Sequence, residues 1–392
     1  MFDAAFDVAV IGGGPSGIAA ALRLKSRGVP RVTILEREAA LGGALRLCNH
    51  HVFGLRDFGR LLTGPAYAAR LAAAARAAGV EILPGHEVTA LGPSGGLDVS
   101  TPDGPRAFAA RRVLLATGVR ESAPVLGAGL ASVLNFSALR ALLASGGQAP
   151  FRKPVVLGTE MASLSALSLC RRHAIRPVAM IGEQSRPAMG WPLSLYPRLL
   201  RVKLVLGATI ERIDGAAQAE RVQLSNGLSL ACDGVLFTGS FLPEARLVAA
   251  SHLRLDAATG GPAVDQYGRC SDTSYFAAGK LAGMEGTENL VADYIADDLS
   301  GGLPSLEGRL EVMAGQGIAA VVPQRLAHVA PLRGRLEIRT EQAAKGQLRV
   351  RAGEVVLYRR RVDAQAGQRL VIDLHGVKTP PDDAQLIVEI VA

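Results

Sequence analysis

Residues 8–17 read Val-Ala-Val-Ile-Gly-Gly-Gly-Pro-Ser-Gly, an apolar strand running straight into a glycine turn, and Glu36 closes the next strand, Val32-Thr33-Ile34-Leu35. No other feature constrains the fold as tightly. A strand, a glycine turn, a helix and a second strand ending in an acid form the opening unit of a parallel sheet that grips a dinucleotide. Gly12 allows the tight turn. Gly14 lets backbone approach a pyrophosphate, and Gly17 lets the helix predicted over 15–27 pack on the strand. The free N–H groups and positive dipole end of that helix then face the phosphates. Glu36 is placed to accept hydrogen bonds from an adenosine ribose.

The pattern returns. Pro154-Val155-Val156-Leu157-Gly158 leads into an apolar helix over about 161–173 and then Pro177-Val178-Ala179-Met180-Ile181. The elements after each copy also match. Strands at 80–83 and 87–91, turns around Pro102-Asp103-Gly104 and a strand at 112–118 come after the first; strands at 203–206 and 209–213, an Asn226-Gly227 hairpin signal and a strand at 234–239 come after the second. The predicted fold class is α/β, with two Rossmann-like dinucleotide-binding domains, each a mainly parallel sheet crossed by a small antiparallel layer, plus a small C-terminal β-domain. Ser274-Tyr275-Phe276-Ala277-Ala278-Gly279 and a helix over 286–300 return the chain to the first domain. The expected boundaries are 1–125 with 265–325 for the first domain, 126–264 for the second and 330–392 for the third. Alternating runs at 335–339, 347–351, 355–358, 369–373 and 385–391 define the third, expected to serve packing or oligomerisation without chemistry of its own.

With 392 residues, 49% of them hydrophobic and 20% charged, the chain can bury large cores as an ordinary soluble protein. Its net charge of +8 is carried mostly by dispersed arginines, and only 4% of residues are aromatic, so no nucleic-acid partner is expected. The charge suits an acidic partner surface or an anionic substrate better. Cys48, Cys170, Cys232 and Cys270 lie far apart without a Cys-x-x-Cys, which excludes a zinc knuckle or a redox disulfide of the usual spacing; the seven histidines are dispersed, so no metal is expected. The first strand begins at about residue 7, leaving no room for a signal peptide, and a cytoplasmic location is expected. The uncharged stretch 122–139 contains Pro124, Gly127, Gly129 and Asn135 and is expected to be a buried interdomain connection, with no direct membrane insertion.

The two glycine units, Ala116-Thr117-Gly118 and Phe276-Ala277-Ala278-Gly279 together resemble the two-dinucleotide-binding-domain flavoprotein family that includes the pyridine nucleotide–disulfide oxidoreductases, over roughly residues 5–315. The resemblance implies FAD in the first domain, NAD(P)H in the second, and a late glycine segment closing over the flavin. It places Gly12, Gly14 and Gly17 at the FAD pyrophosphate and Glu36 at the ribose, with Pro15, Ser16 and Arg37 also among the cofactor-binding residues. Val88 would meet the adenine through its backbone, and Gly43, Thr117, Gly118, Gly279 and Lys280 would line the rest of the cofactor. The run Leu41-Gly42-Gly43-Ala44-Leu45-Arg46-Leu47-Cys48-Asn49-His50, with Phe53-Gly54-Leu55 and Leu62-Thr63-Gly64-Pro65-Ala66-Tyr67, is similar to the flavoprotein accompanying anaerobic-type glycerol-3-phosphate dehydrogenases. It is also similar to FAD subunits of opine oxidase, hydrogen cyanide synthase and hydroxyproline dehydrogenase complexes. That likeness implies partners: a substrate-oxidising flavoprotein subunit and a small iron–sulfur or cysteine-rich protein.

Two departures matter. The second turn reads Gly158-Thr159-Glu160-Met161-Ala162-Ser163, with Glu160 where the middle glycine belongs. At ~4 Å and an effective dielectric of ~20, each carboxylate–phosphate charge pair costs on the order of 4 kcal/mol, roughly a thousandfold in affinity. NAD(P) binding there is therefore doubtful, unless the nucleotide is rotated or shifted. Lys280 replaces the family's aspartate after the late glycine; it cannot accept a ribityl hydrogen bond but can pair with phosphate. Cys48 and His50 are the candidate catalytic residues: a thiolate to contact the flavin and an imidazole that titrates between about pH 5 and 8. A buried cysteine and a hydrogen-bonded histidine are the alternatives, as they are for His51 and Tyr67. Trp191 is expected to be a core or interface anchor, and the dipole of helix 286–300 to favour negative charge on the reduced ring. Three functions are compatible: an FAD-dependent subunit relaying electrons to a partner, a self-contained NAD(P)H-dependent flavin reductase, and an assembly subunit without redox chemistry.

Overall fold

The computed structural model describes residues 6–48, 51–187, 189, 193–239, 241–304, 309–327, 332–381 and 384–391. The chain divides into two compact units, one formed by Met1–Leu45, Ala68–Val119 and Pro243–Ala392, the other by Arg46–Tyr67 and Arg120–Leu242.

In the first unit, β1 (Phe6–Ile11) is buried at every residue, which is why its sequence is continuously apolar rather than alternating. The exception, Asp7, accepts bonds from Arg31 N at 3.0 Å and Arg31 Nη2 at 3.2 Å, so its burial is compensated. The chain continues through α1 (Pro15–Ser26), β2 (Val32–Glu36), β3 (Glu81–Pro84), β4 (Glu87–Leu91), β5 (Gly96–Thr101) and β6 (Gly104–Leu115). Strand order is β3-β2-β1-β6-β5-β4, and Tyr275–Ala277 pairs with β6. The long β6 serves two layers. Its second half runs parallel to β1, from Phe6↔Ala110 to Ile11↔Leu115, while its first half runs antiparallel to β5. Tyr275 fastens these layers, donating from its hydroxyl toward Gly92 O at 2.6 Å and Gly96 O at 2.8 Å.

The second unit repeats the plan with β7 (Val133–Asn135), α2 (Phe136–Ala144), β8 (Pro154–Leu157), α3 (Met161–Arg172), β9 (Ala179–Gly182), β10 (Lys203–Leu206) and β11 (Gly234–Phe237). Its sheet, in the order β10-β9-β8-β11-β7, is entirely parallel. An antiparallel layer of Ile210–Asp214, Arg221–Leu224 and Ser229–Ala231 accompanies it, its hairpin turning at Asn226-Gly227.

The C-terminal strands form around a separate core that includes Leu336, Leu348, Val350, Ile372, Leu386 and Val388, all fully buried. Five strands make one sheet and Ile318–Val322, Arg335–Thr340 and Arg369–Asp373 a second. The region begins at Arg309–Ala314, earlier than the expected residue 330, because that strand pairs with Leu386–Val391.

Other expectations shift for identifiable reasons. Residues 243–264 join the first unit because Ala245, Val248, Leu253 and Val264 bury in its core. The stretch 122–139 is not a buried connection: Val125 is 89% exposed, Val133–Asn135 is an edge strand, and Asn135 caps α2 by accepting from Ala138 N at 2.8 Å. Absence of charge there reflects glycine and proline turns and not burial. Trp191 lies outside the described residues.

Candidate dinucleotide site and its altered twin

The first glycine turn is built for close approach. Gly12 sits at φ +106°, and a Cβ there would lie 2.6 Å from Ala116 O. A Cβ on Gly17 would lie 2.0 Å from Gly12 O, so α1 rests directly on the turn. Gly14 is different: nothing lies within 4 Å of the position its Cβ would take. That open cradle faces a helix N-terminus starting with Pro15 and capped by no side chain. Uncapped N–H groups beside an open, glycine-lined space suit a pyrophosphate.

Glu36, 6% exposed at the end of β2, accepts from Gly13 N at 2.7 Å and Glu38 N at 2.9 Å, one bond on each carboxylate oxygen. Each oxygen keeps capacity for a hydroxyl donor. His86 N donates to Glu36 O at 3.0 Å, bringing the start of β4, and with it the buried Val88, alongside. Gly42 N donates to Gly13 O at 2.7 Å, and a Cβ on Gly43 would lie 3.2 Å from Gly14 Cα, so this loop lies against the turn. Thr117 and Gly118 are fixed by Glu244: Thr117 Oγ1 donates to its carbonyl at 2.8 Å and its N–H donates to Gly118 O at 2.9 Å. The structure thus gathers Gly12, Gly14, Pro15, Ser16, Gly17, Glu36, Gly43 and the Val88 strand around one turn. Arg37 is exposed and lies 4.0 Å from Glu38.

Glu288 escaped sequence reasoning. Its Oε1 accepts from Ser16 Oγ at 2.8 Å, linking α1 to the first turn of helix Glu288–Leu299. A Cβ on Gly279 would lie 2.6 Å from the same Ser16 Oγ, so the late glycine is required where this segment meets the turn. Lys280 directs its Nζ toward Glu285 Oε1 at 3.8 Å, and both are more than half exposed. Glu288 also places an acid at the positive end of its own helix, partly offsetting the dipole expected to act on a reduced ring. Glycine spacing carries no trace of this contact, which spans 272 residues.

In the second unit the matching turn is filled from within. Leu157 pairs with Ile181 as Ile11 pairs with Leu35, so Gly158 corresponds to Gly12 and Gly182 to Glu36. No acid therefore ends β9 at the position of Glu36. Instead Glu160 folds back: its Oε2 accepts from Thr159 N at 3.0 Å, the N–H that corresponds to Gly13 N in the first turn. The same carboxylate would lie 2.9 Å from a Cβ on Gly158 and closer still to one on Gly239. Ser163 replaces the third glycine and bonds Thr238 Oγ1 at 2.6 Å.

Cys48 belongs to the second unit, where burial pushes its thiol up against the smaller opposing effects of Ser165 and Arg140. A thiol so placed is protonated at neutral pH, which fits packing better than thiolate chemistry. Iodoacetamide labelling of Cys48 in the native protein should therefore be slower at pH 8 than that of a free cysteine, accelerating only at more alkaline pH; labelling as fast as a solvent thiol would restore the thiolate role. His50 lies outside the described residues, and for His51 the structure adds no contact to argue from. Tyr67 donates to Asp57 Oδ2 at 2.6 Å, and burial and this bond push its hydroxyl up to about 12. It stands between Phe53 and Phe58 at ring distances of 6.0 and 5.8 Å, a packing role. Among the described residues, no group of three or more His, Cys, Asp or Glu side chains could hold a metal, and no helix is long and apolar enough to cross a membrane.

Residues 10–78 match a family model described as an NAD(P)-binding Rossmann-like domain. The fold is similar to that of a thioredoxin reductase from T. acidophilum (TM-score 0.58, 20% identity, covering 75% of this chain and 98% of that one). It is also similar to an NAD-dependent persulfide reductase from A. fulgidus (TM-score 0.54, 18% identity, 93% and 71% covered). A third similar structure is putidaredoxin reductase in covalent complex with putidaredoxin (TM-score 0.52, 18% identity, 94% and 89% covered). No curated protein matches the chain. These likenesses show the fold: mixed α/β, with the two-domain dinucleotide-binding architecture that the glycine units predict.

Proposed function

We propose that this chain is an FAD-dependent oxidoreductase subunit, taking electrons from or giving them to a partner through a flavin held at the first glycine turn. The carrying observation is the contrast between the two turns: one open in front of Gly14 with Glu36 beside it, the other occupied by the carboxylate of Glu160. When bound, FAD supplies one- and two-electron redox chemistry that no side chain offers. The protein's own residues bind and orient. Gly12, Gly14 and Gly17 with the α1 amides would hold the pyrophosphate, and Glu36 the ribose. The Val88 backbone would meet the adenine, with Thr117, Gly118, Gly279 and Lys280 along the remaining length. Ser16, held by Glu288, fixes the junction of two helices at that turn.

The similar structures are reductases, and one was solved joined to its redox partner, which supports a relay role. The resemblance of residues 41–67 to the glycerol-3-phosphate dehydrogenase and opine oxidase groups supports glycerol 3-phosphate or an amino-acid-like compound as the donor. The corresponding partners are a substrate-oxidising flavoprotein and a small iron–sulfur or cysteine-rich protein, in the cytoplasm. The expected result is a yellow purified protein, with an oxidised-flavin band near ~450 nm that neither NADH nor NADPH bleaches rapidly under anaerobic mixing. Rapid bleaching would make it a self-contained NAD(P)H-dependent reductase instead. Colourless protein that gains no stability from added FAD would make it an assembly subunit.

A further inference from the structure

Helices α2 and α3 of the second unit line a half-open cavity of about 340 Å³, separate from the altered glycine turn at the other end of α3. Its wall is apolar at Leu47, Phe136, Leu143 and Leu169, while Arg140, Arg172 and His173 bring positive and hydrogen-donating groups to it. The volume lies at the small end of the range for metabolite sites. Arg140 is the informative residue. Its Nε is buried with no hydrogen-bond partner, so the rest of the guanidinium is what the pocket can offer a ligand. Arg46 adds like-charge repulsion at Arg140. Glu121, the acid whose field reaches it, accepts from Ser137 N at 2.6 Å through Oε2, while its Oε1 is buried without a partner and makes no bond to Arg140. Arg172 and Arg171 close α3 and offset the negative end of its dipole, which would otherwise repel an anion.

We infer that this cavity binds a small organic anion, a carboxylate or phosphate ester with a short apolar body, whose head group pairs with Arg140 and Arg172 while the body lies on Leu47, Phe136 and Leu169. A guanidinium matches either head group with charge-assisted N–H···O bonds, and the anion offsets the crowding of positive charge from Arg46, Arg140 and Arg172. The inference does not depend on a flavin at the first turn, because every residue it uses belongs to the second unit.

The test uses the full chain and two anionic probes, hexanoate and hexyl phosphate, with hexanol as the uncharged control. Calorimetric titration should show one site for at least one anion with Kd below about 10 mM, and that anion should raise the melting temperature where hexanol does not. Whichever anion binds more tightly identifies the head group. Arg140→Gln should weaken binding at least about tenfold, as expected for losing a charge-assisted bond. Since Arg140 is partly buried, the exposed Arg172→Glu is the companion variant and should weaken binding by a similar factor without loss of fold. Absence of binding by both anions, an equal response to hexanol, or unchanged affinity in Arg172→Glu would overturn the inference.

Discussion

Gly17→Ala is expected to yield a protein that purifies without flavin and unfolds at markedly lower denaturant concentration. The added methyl would stand 2.0 Å from Gly12 O and 3.2 Å from Val10 Cγ1. The first neighbour is backbone inside a tight turn, so relief requires α1 to move off β1, away from contacts that bury Ile18, Ala20, Ala21 and Leu24. Overpacking against flexible side chains costs about 1–3 kcal/mol, and a backbone obstacle places this variant at or above the top of that range. Gly14→Ala separates binding from folding. Its φ of −72° is ordinary for alanine and nothing lies within 4 Å of the new methyl, so the unfolding free energy should stay within about 0.5 kcal/mol of the parent. The same methyl fills the cradle in front of the α1 amides, and FAD affinity should fall at least about a hundredfold. Flavin absorbance per protein and urea unfolding, measured on both variants, read the two effects independently. A Gly14→Ala protein that keeps its flavin would remove the pyrophosphate from this turn.

Much of this site is legible in sequence because its determinants are local. Strand β1, the turn and α1 are contiguous, and Glu36 follows at the end of the adjacent strand, so spacing alone fixes which residues meet. The tandem architecture is legible for the same reason: each copy is a run of short elements whose periodicity and turn residues are read in windows of a dozen positions. The features that escape are set by tertiary contact. The Ser16–Glu288 bond, the clasp of Thr117 and Gly118 by Glu244, and the union of 46–67 with the second unit join residues too distant for any local pattern to record. Cys48 shows the consequence. Beside a glycine turn in sequence it reads as a candidate for flavin chemistry, whereas in the fold it is a half-buried thiol beside Ser165 and Arg140, and burial decides its protonation.

Glu160→Gly is expected to produce the largest change in ligand preference, tightening NADH or NADPH binding by two to three orders of magnitude from a level near the limit of detection. At contact distance the Glu160 carboxylate and a phosphate oxygen repel by on the order of 4 kcal/mol at an effective dielectric of ~20, and most of that returns when the side chain is removed. The substitution also frees Thr159 N, which Glu160 Oε2 now occupies at 3.0 Å, and clears the space against Gly158 and Gly239. Two features limit the gain: Gly182 holds the register position of Glu36, with the exposed Glu183 only beyond the end of β9, and Ser163 stands where the third glycine would let α3 approach. Introducing an acid at position 182 is no remedy, because a Cβ there would lie 2.7 Å from Thr159 Cγ2. The single variant is therefore the informative one, read by fluorescence titration with both nucleotides and by anaerobic mixing. If the unaltered protein already binds NADH at micromolar concentration, or if Glu160→Gly leaves the affinity where it was, the carboxylate does not close the second turn, and the contrast between the two units no longer accounts for the function.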